Sequence, residues 1–249
     1  MENSTPSLNP SQKNEWLGYY VPKHTAALIK NSMENNNFPL LPDDNGNVKT
    51  VSIINGNTGY ILSAKDLIPA LLTKEKNDYS SNVVGTKATI DKAGTQIKKD
   101  EKGLFFNFKV GDEFRHAAYF FPEQTADPEK LNNYIASNTK QLQAHQDKVI
   151  TINNSEEYLS KYVAACKTGA KVQVSTEIAA EFRAYMTSVC ENELKKLSSE
   201  KNPEIKSLSS ILYDADVQSK DVIKELGMKT ERNQPGHNQK REIEQEICF

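Results

Sequence analysis

The chain is poor in cysteine: Cys166, Cys190 and Cys248 are its only three among 249 residues. They are odd in number and widely spaced. This excludes a disulfide framework and a Cys-x-x-Cys metal knuckle, and it suits a reducing compartment. Long apolar runs are also missing, and the opening Met1-Glu2-Asn3-Ser4-Thr5-Pro6 has neither a basic start nor an apolar stretch. Neither a membrane span nor a cleaved signal peptide is therefore expected. An excess of charge of either sign is missing too, with a formal net charge of −2 and a pI near 6.1. Without a global basic field, nucleic acid is not an expected partner. Hydrophobic residues make up 37%, which is polar for an enzyme but enough, at this length, for a real core.

Periodicity divides what remains. After a polar lead-in over residues 1–12 comes the aromatic patch Trp16-Leu17-Gly18-Tyr19-Tyr20. A helical pattern follows through Ala26, Ala27, Ile29 and Met33, ended by Asn35-Asn36-Asn37. Asn55-Gly56-Asn57 separates strand candidates at 48–54 and 60–62, because Asn and Gly tolerate positive φ, and together they read as a hairpin. Asp66 is placed as the cap of a helix through Leu67, Ile68, Leu71 and Leu72, which leaves Pro69 in the first turn. From 82 to 121 the period becomes two: Val84, Thr86, Ala88, Ile90; then Leu104, Phe106, Phe108, Val110; then Phe114, His116, Ala118, Phe120. At Gly111-Asp112-Glu113, a three-residue loop is expected over a two-residue one, because it puts both apolar sets on one face, with His116 beside Phe108.

The second half reads as mainly helical. Asp127-Pro128-Glu129 starts a helix whose face runs through Leu131, Ile135, Asn138, Leu142 and His145. A strand at 149–152 precedes a helix bearing Tyr158, Leu159, Tyr162, Val163 and Cys166, closed by Gly169; another strand candidate covers 171–174. Ser175 or Thr176 caps the clearest helix, with Ile178, Phe182, Tyr185, Met186, Val189, Cys190, Leu194 and Leu197 at helical spacing. Asn202-Pro203-Glu204 begins a helix through Leu208, Ile211 and Leu212, and a separate last piece holds Val222, Ile223 and Leu226. The expected class is α+β: a mostly antiparallel sheet with covering helices and a helix-rich C-terminal half. The expected division is a sheet domain over 13–152, a helical subdomain over 153–228, and a mobile tail over 229–249.

Candidate chemistry is thin. Cys166 lies in the last turn of its helix, where the dipole disfavours a thiolate, and Cys190 continues an apolar stripe; both read as core. His116 and His145 read as partly buried residues, whereas His24 and His237 read as surface. No histidine pair has helical zinc spacing, so neither a metal nor a cofactor is expected. Asp43-Asp44-Asn45-Gly46-Asn47 looks like the start of a calcium loop, but its glycine is misplaced and the distal glutamate is missing, which leaves a turn. Trp16, Tyr19 and Tyr20 could form a partner contact, or clamp the first helix to the body.

The end of the chain is the most distinctive stretch. From Lys229 to Gln239 it is almost devoid of apolar side chains, and Lys240-Arg241 then precede Glu242, Glu244 and Glu246, with Ile243 and Ile247 four apart and Phe249 last. Such a segment buries too little to offset its ordering entropy. Glu242, Glu244, Glu246, Ile247 and Phe249 resemble the C-terminal translocation signals of bacterial type IV secretion effectors of the Dot/Icm type. That resemblance implies delivery into a host cytosol and names no activity. The expected function is an exported effector acting through a host or bacterial protein partner, without a cofactor. Two alternatives stand beside it: a hydrolase or transferase joining His116 or His145 with Cys166, and a cytoplasmic subunit that docks through Ile243, Ile247 and Phe249.

Overall fold

The computed structural model describes residues 10–110, 113–138, 145, 147–195 and 200–228, with the backbone alone for 10–21 and 107–115. The class is α+β, with a helical C-terminal half. Helix α1 (Pro10–Glu34) leads into strands β1 (Asn47–Val48) and β2 (Ile54–Asn55), then α2 (Ala64–Lys76), β3 (Val83–Thr86) and α3 (Lys87–Lys92). The hairpin β4 (Leu104–Val110) and β5 (Glu113–Phe120) follows, then α4 (Pro128–Asn138), β6 (Val149–Ile152), α5 (Tyr158–Thr168), β7 (Lys171–Val174), α6 (Thr176–Leu194) and α7 (Leu208–Glu225).

The strands form two mixed sheets, with strand orders β1-β7-β6 and β2-β3-β5-β4. In each, one pair is parallel: β6 with β7 and β2 with β3. The reason is connectivity, since α5 and α2 carry the chain back over the sheet as crossovers, which deliver parallel strands. Strand β1, from the first half of the chain, pairs antiparallel with β7 of the second. The boundary expected after residue 152 thus falls inside one sheet, and one apolar cluster draws Ile29, Leu67, Phe121, Ile150, Tyr162, Phe182 and Leu212 together across it.

Several local expectations are corrected. Helix α1 already begins at Pro10 and runs through Pro22, so 10–12 are helical rather than lead-in. Buried Ala26, Ile29 and Met33 hold it to the body, Arg183 of α6 donates to Met33 O at 2.6 Å, and tertiary packing outweighs the missing proline N–H. The stretch 48–54 splits between two sheets, although the tight return itself forms: Asn55 N donates to Tyr60 O at 2.8 Å and Leu62 N to Ile53 O at 2.9 Å. Ser63, not Asp66, is the residue preceding α2, and it donates to Asp66 Oδ2 at 3.0 Å.

Ala88 and Ile90 lie on α3 instead of continuing a strand, because Thr86 Oγ1 accepts from Thr89 N at 3.4 Å and caps a helix there. Hairpin register follows the two-residue loop, with Val110 opposite Glu113 and Phe108 opposite Arg115. His116 therefore faces Asn107 on the outer side, exposed, its ring 6.0 Å from that of Phe105. Turn preference decided the register because burial was already satisfied at the other end of the hairpin, where Leu104, Phe106 and Tyr119 enter the core.

His145 is not on α4, which ends at Asn138; its N–H donates to Thr168 O at 2.8 Å. Leu142, Leu197 and His237 lie outside the described residues. The two C-terminal helical pieces are one helix, α7, capped by Ser207 rather than started by Pro203. Asp43 makes the expected turn: its Oδ1 accepts from Asn45 N and Asn47 N, both at 2.9 Å. Gly46 is needed there, since at φ 77° a Cβ would stand 2.8 Å from Val174 O.

Candidate functional site

Helices α5, α6 and α7 frame a concave surface. Strand β6 buries Ile150 and Ile152, and Asn154 Oδ1 then accepts from Glu157 N at 2.9 Å to turn the chain into α5. Gly169 ends that helix in the left-handed region at φ 71°. Inside, the Tyr158 and Phe182 rings stack at 4.0 Å and 2°, and Tyr158 donates to Leu40 O at 2.6 Å. Burial pushes the Tyr158 phenol well up, so it is a structural hydrogen-bond donor.

Helix α7 is locked from the other side. Lys167 of α5 meets Asp216 Oδ1 at 2.8 Å and Ser219 Oγ at 3.0 Å, and Asp216 Oδ1 also accepts from Ala64 N of α2 at 3.0 Å. The link from α6 is clamped as well. Asn192 Oδ1 accepts from Asn202 N at 2.7 Å, and Glu193 meets Lys201 Nζ at 2.7 Å and accepts from Leu208 N at 3.3 Å. These ties hold the three helices at fixed spacing.

Between them lies a cleft of about 560 Å³. Leu159, Phe182, Ile211 and Ala215 form its apolar floor, all buried in the protein. The rim carries Ser155, Glu156, Tyr185, Lys206, Asp214 and Gln218. Lys206 pairs with Asp214 at 3.2 Å. Tyr185 is 44% exposed, and its phenol is pushed up by partial burial, with Asp214 adding to the effect and Lys206 opposing it. An apolar floor beneath convergent polar groups is the usual form of a binding site.

The thiols stand elsewhere. Cys166 is fully buried and its thiol is pushed up to about 11 by burial; Cys190 is fully buried and pushed up to about 12, again chiefly by burial. Both are protonated at neutral pH and poor nucleophiles. His116 sits on the outer face of the β4–β5 hairpin, away from the Cys166 core position. Among the described residues, no group of three His, Cys, Asp or Glu side chains is placed to hold a metal ion, and no helix is long and apolar enough to cross a membrane.

Trp16, Tyr19 and Tyr20 fall on the α1 segment described by its backbone alone. Glu242, Glu244, Glu246, Ile247 and Phe249, like Cys248, lie outside the described residues. The cleft is not legible in the sequence: helical spacing places Tyr185 and Phe182 on α6, as the structure does, but nothing in the pattern joins them to Lys206 and Asp214. The one available signal was Tyr185 itself, an aromatic at the edge of an otherwise aliphatic stripe.

No family model matches the chain, and no curated protein matches it. Among solved structures, the chain is similar to the antirestriction ArdC protein from R388 plasmid. To its metal-free form the similarity is 14% identity over 85% of this chain and 100% of that one, with a TM-score of 0.41. To its Mn(II)-bound form it is 14% identity over 90% and 88%, with a TM-score of 0.35. A likeness at that level assigns neither a family nor an activity.

Proposed function

We propose that this protein is a bacterial effector exported by a type IV route through its C-terminal segment, and that it acts by binding a partner protein with the α5–α6–α7 cleft. The observation that carries the binding reading is the cleft itself, an apolar floor under a polar rim on a rigidly tied helical frame. Support for export comes from the resemblance of Glu242, Glu244, Glu246, Ile247 and Phe249 to Dot/Icm translocation signals. Work by contact rather than by thiol chemistry agrees with two buried cysteines held protonated.

Export is tested with a reporter fused ahead of the full chain in a bacterium carrying a Dot/Icm transporter. The expected result is a transporter-dependent signal in the host cytosol that falls at least tenfold when Glu242, Glu244 and Glu246 are replaced by alanine. A signal indifferent to the transporter would sink the export reading. Binding is tested by placing a photo-crosslinking residue at Tyr185 or, as a control, at exposed Phe105. A partner captured from Tyr185 and not from Phe105 is expected; equal capture, or none from Tyr185, would overturn the cleft as the contact surface.

A further inference from the structure

We infer that the cleft between α5, α6 and α7 takes a peptide segment of the partner that presents one large apolar side chain beside a lysine or arginine. This deepens the binding reading above and rests on it. The floor of Leu159, Phe182, Ile211 and Ala215 in a volume of about 560 Å³ sets the first half of the specificity. The floor is apolar beneath a polar rim, and the space is of the size that takes one aromatic or leucine side chain. On the inward side of α7 the polar groups are bonded within the protein, as Asp216 and Ser219 are to Lys167. At the cleft, Tyr185 and Gln218 have side-chain polar atoms with no bond among the described residues.

Charge sets the second half. Of the charged rim residues, Glu156 and Asp214 are acidic and Lys206 alone is basic. Lys206 is already committed to Asp214 at 3.2 Å. The Glu156 side chain makes no ion pair or hydrogen bond among the described residues. A cation carried next to the apolar anchor gains this carboxylate, the charged rim group not engaged in a pair. It also gains the face of Tyr185, whose ring is accessible. The Tyr185 hydroxyl and the Gln218 amide, without partners inside the described protein, are left to bond the peptide backbone. An acidic segment would instead bring carboxylates against Glu156 and Asp214.

The test uses the ¹⁵N-labelled full-length chain and two blocked peptides, Gly-Lys-Leu-Phe-Lys-Gly and Gly-Glu-Leu-Phe-Glu-Gly. The lysine peptide is expected to shift amides in 155–160, 182–185 and 206–218, to bind at least tenfold more tightly than the glutamate peptide at low salt, and to lose that advantage in Glu156→Lys. Salt should narrow the gap. Shifts outside the cleft, or equal binding of the two peptides, would overturn the inference. So would a nitroxide on Cys248 that broadens cleft amides before any peptide is added, because the occupant would then be this chain's own C-terminal segment. The experiment needs no secretion, so its failure is separable from a failure of export.

Discussion

Helix α7 carries polar side chains on two different faces with opposite fates. Asp216 and Ser219 turn inward and are bonded within the protein: Asp216 Oδ1 meets Lys167 and the α2 backbone, and the Ser219 hydroxyl receives Lys167 and donates to Asp216 O at 2.7 Å. Asp214 and Gln218 stand on the cleft, where Asp214 meets only an exposed lysine and the Gln218 side chain has no bond among the described residues. A closed network in a low-dielectric setting stabilises the architecture and offers nothing to a ligand. An open rim does the reverse. Residues two apart on one helix thus divide into those that hold the helices and those free to contact something else.

The strongest way to break that distinction is to remove the lock. Lys167→Met leaves Asp216 partly buried without its cation, and breaking one side of such a pair should cost about 3 kcal/mol. Lys206→Met, which removes the rim pair, should cost no more than about 0.5 kcal/mol, because its partners are largely exposed. Thermal unfolding of both variants gives the comparison directly. If the two midpoints fall by the same amount, lock and rim are not different kinds of site.

Glu123 extends the same contrast to the four-stranded sheet. Its Oε1 accepts from Ser80 N at 2.8 Å, Ser80 Oγ at 2.9 Å and Ser81 N at 2.7 Å, tying the loop after α2 to the turn after β5. Burial pushes this carboxyl up, but the bonds from Ser81 and Ser80 outweigh it and hold it below the ordinary carboxylate range. Since the folded value is depressed, its contribution is present above the unfolded value and lost as pH falls through the folded one. Glu123→Ala should destabilise by about 2 kcal/mol at neutral pH, and the penalty should shrink in acid. Asp66, raised chiefly by burial, runs the other way: its contribution is present below the unfolded value and lost as pH rises through the folded one. A Glu123→Ala penalty unchanged between neutral and acidic denaturation curves would show that the carboxylate is not the acceptor that matters.

What could be read from the chain follows how local each determinant is. Gly169, Asp127-Pro128 and Ser175 act within one turn of themselves, and all three mark helix ends where expected. The misread at Ala88 and Ile90 has a non-local cause: Asn57, far back in sequence, accepts from Thr89 Oγ1 at 2.6 Å and Thr86 N at 3.2 Å, reinforcing the cap that ends the strand. Ile90 is then buried with Phe120, Leu131 and Ile135, so a period of two and a helical turn both placed it inside. The hairpin register failed for a related reason: the apolar alternation could be satisfied by the half near Leu104 and Tyr119 alone. The cleft was least legible of all. Its floor joins Leu159, Phe182 and Ile211 across three helices, and each alone reads as ordinary core.

The smallest expected effect tests the rim itself. Gln218 and Glu156 are exposed and their side chains make no bond among the described residues, so Gln218→Ala and Glu156→Gln should each change stability by less than about 0.5 kcal/mol. Their consequence should appear only in contact with a ligand, because a group without an internal partner has nothing to lose until something binds it. Paired measurements on one preparation, thermal unfolding and titration with the lysine peptide, separate the two. Unchanged midpoints with weakened binding would place both residues on the open side of the contrast. Lowered midpoints with unchanged binding would move them to the side of Asp216 and Ser219, and the division along α7 would then be one of exposure alone rather than of role.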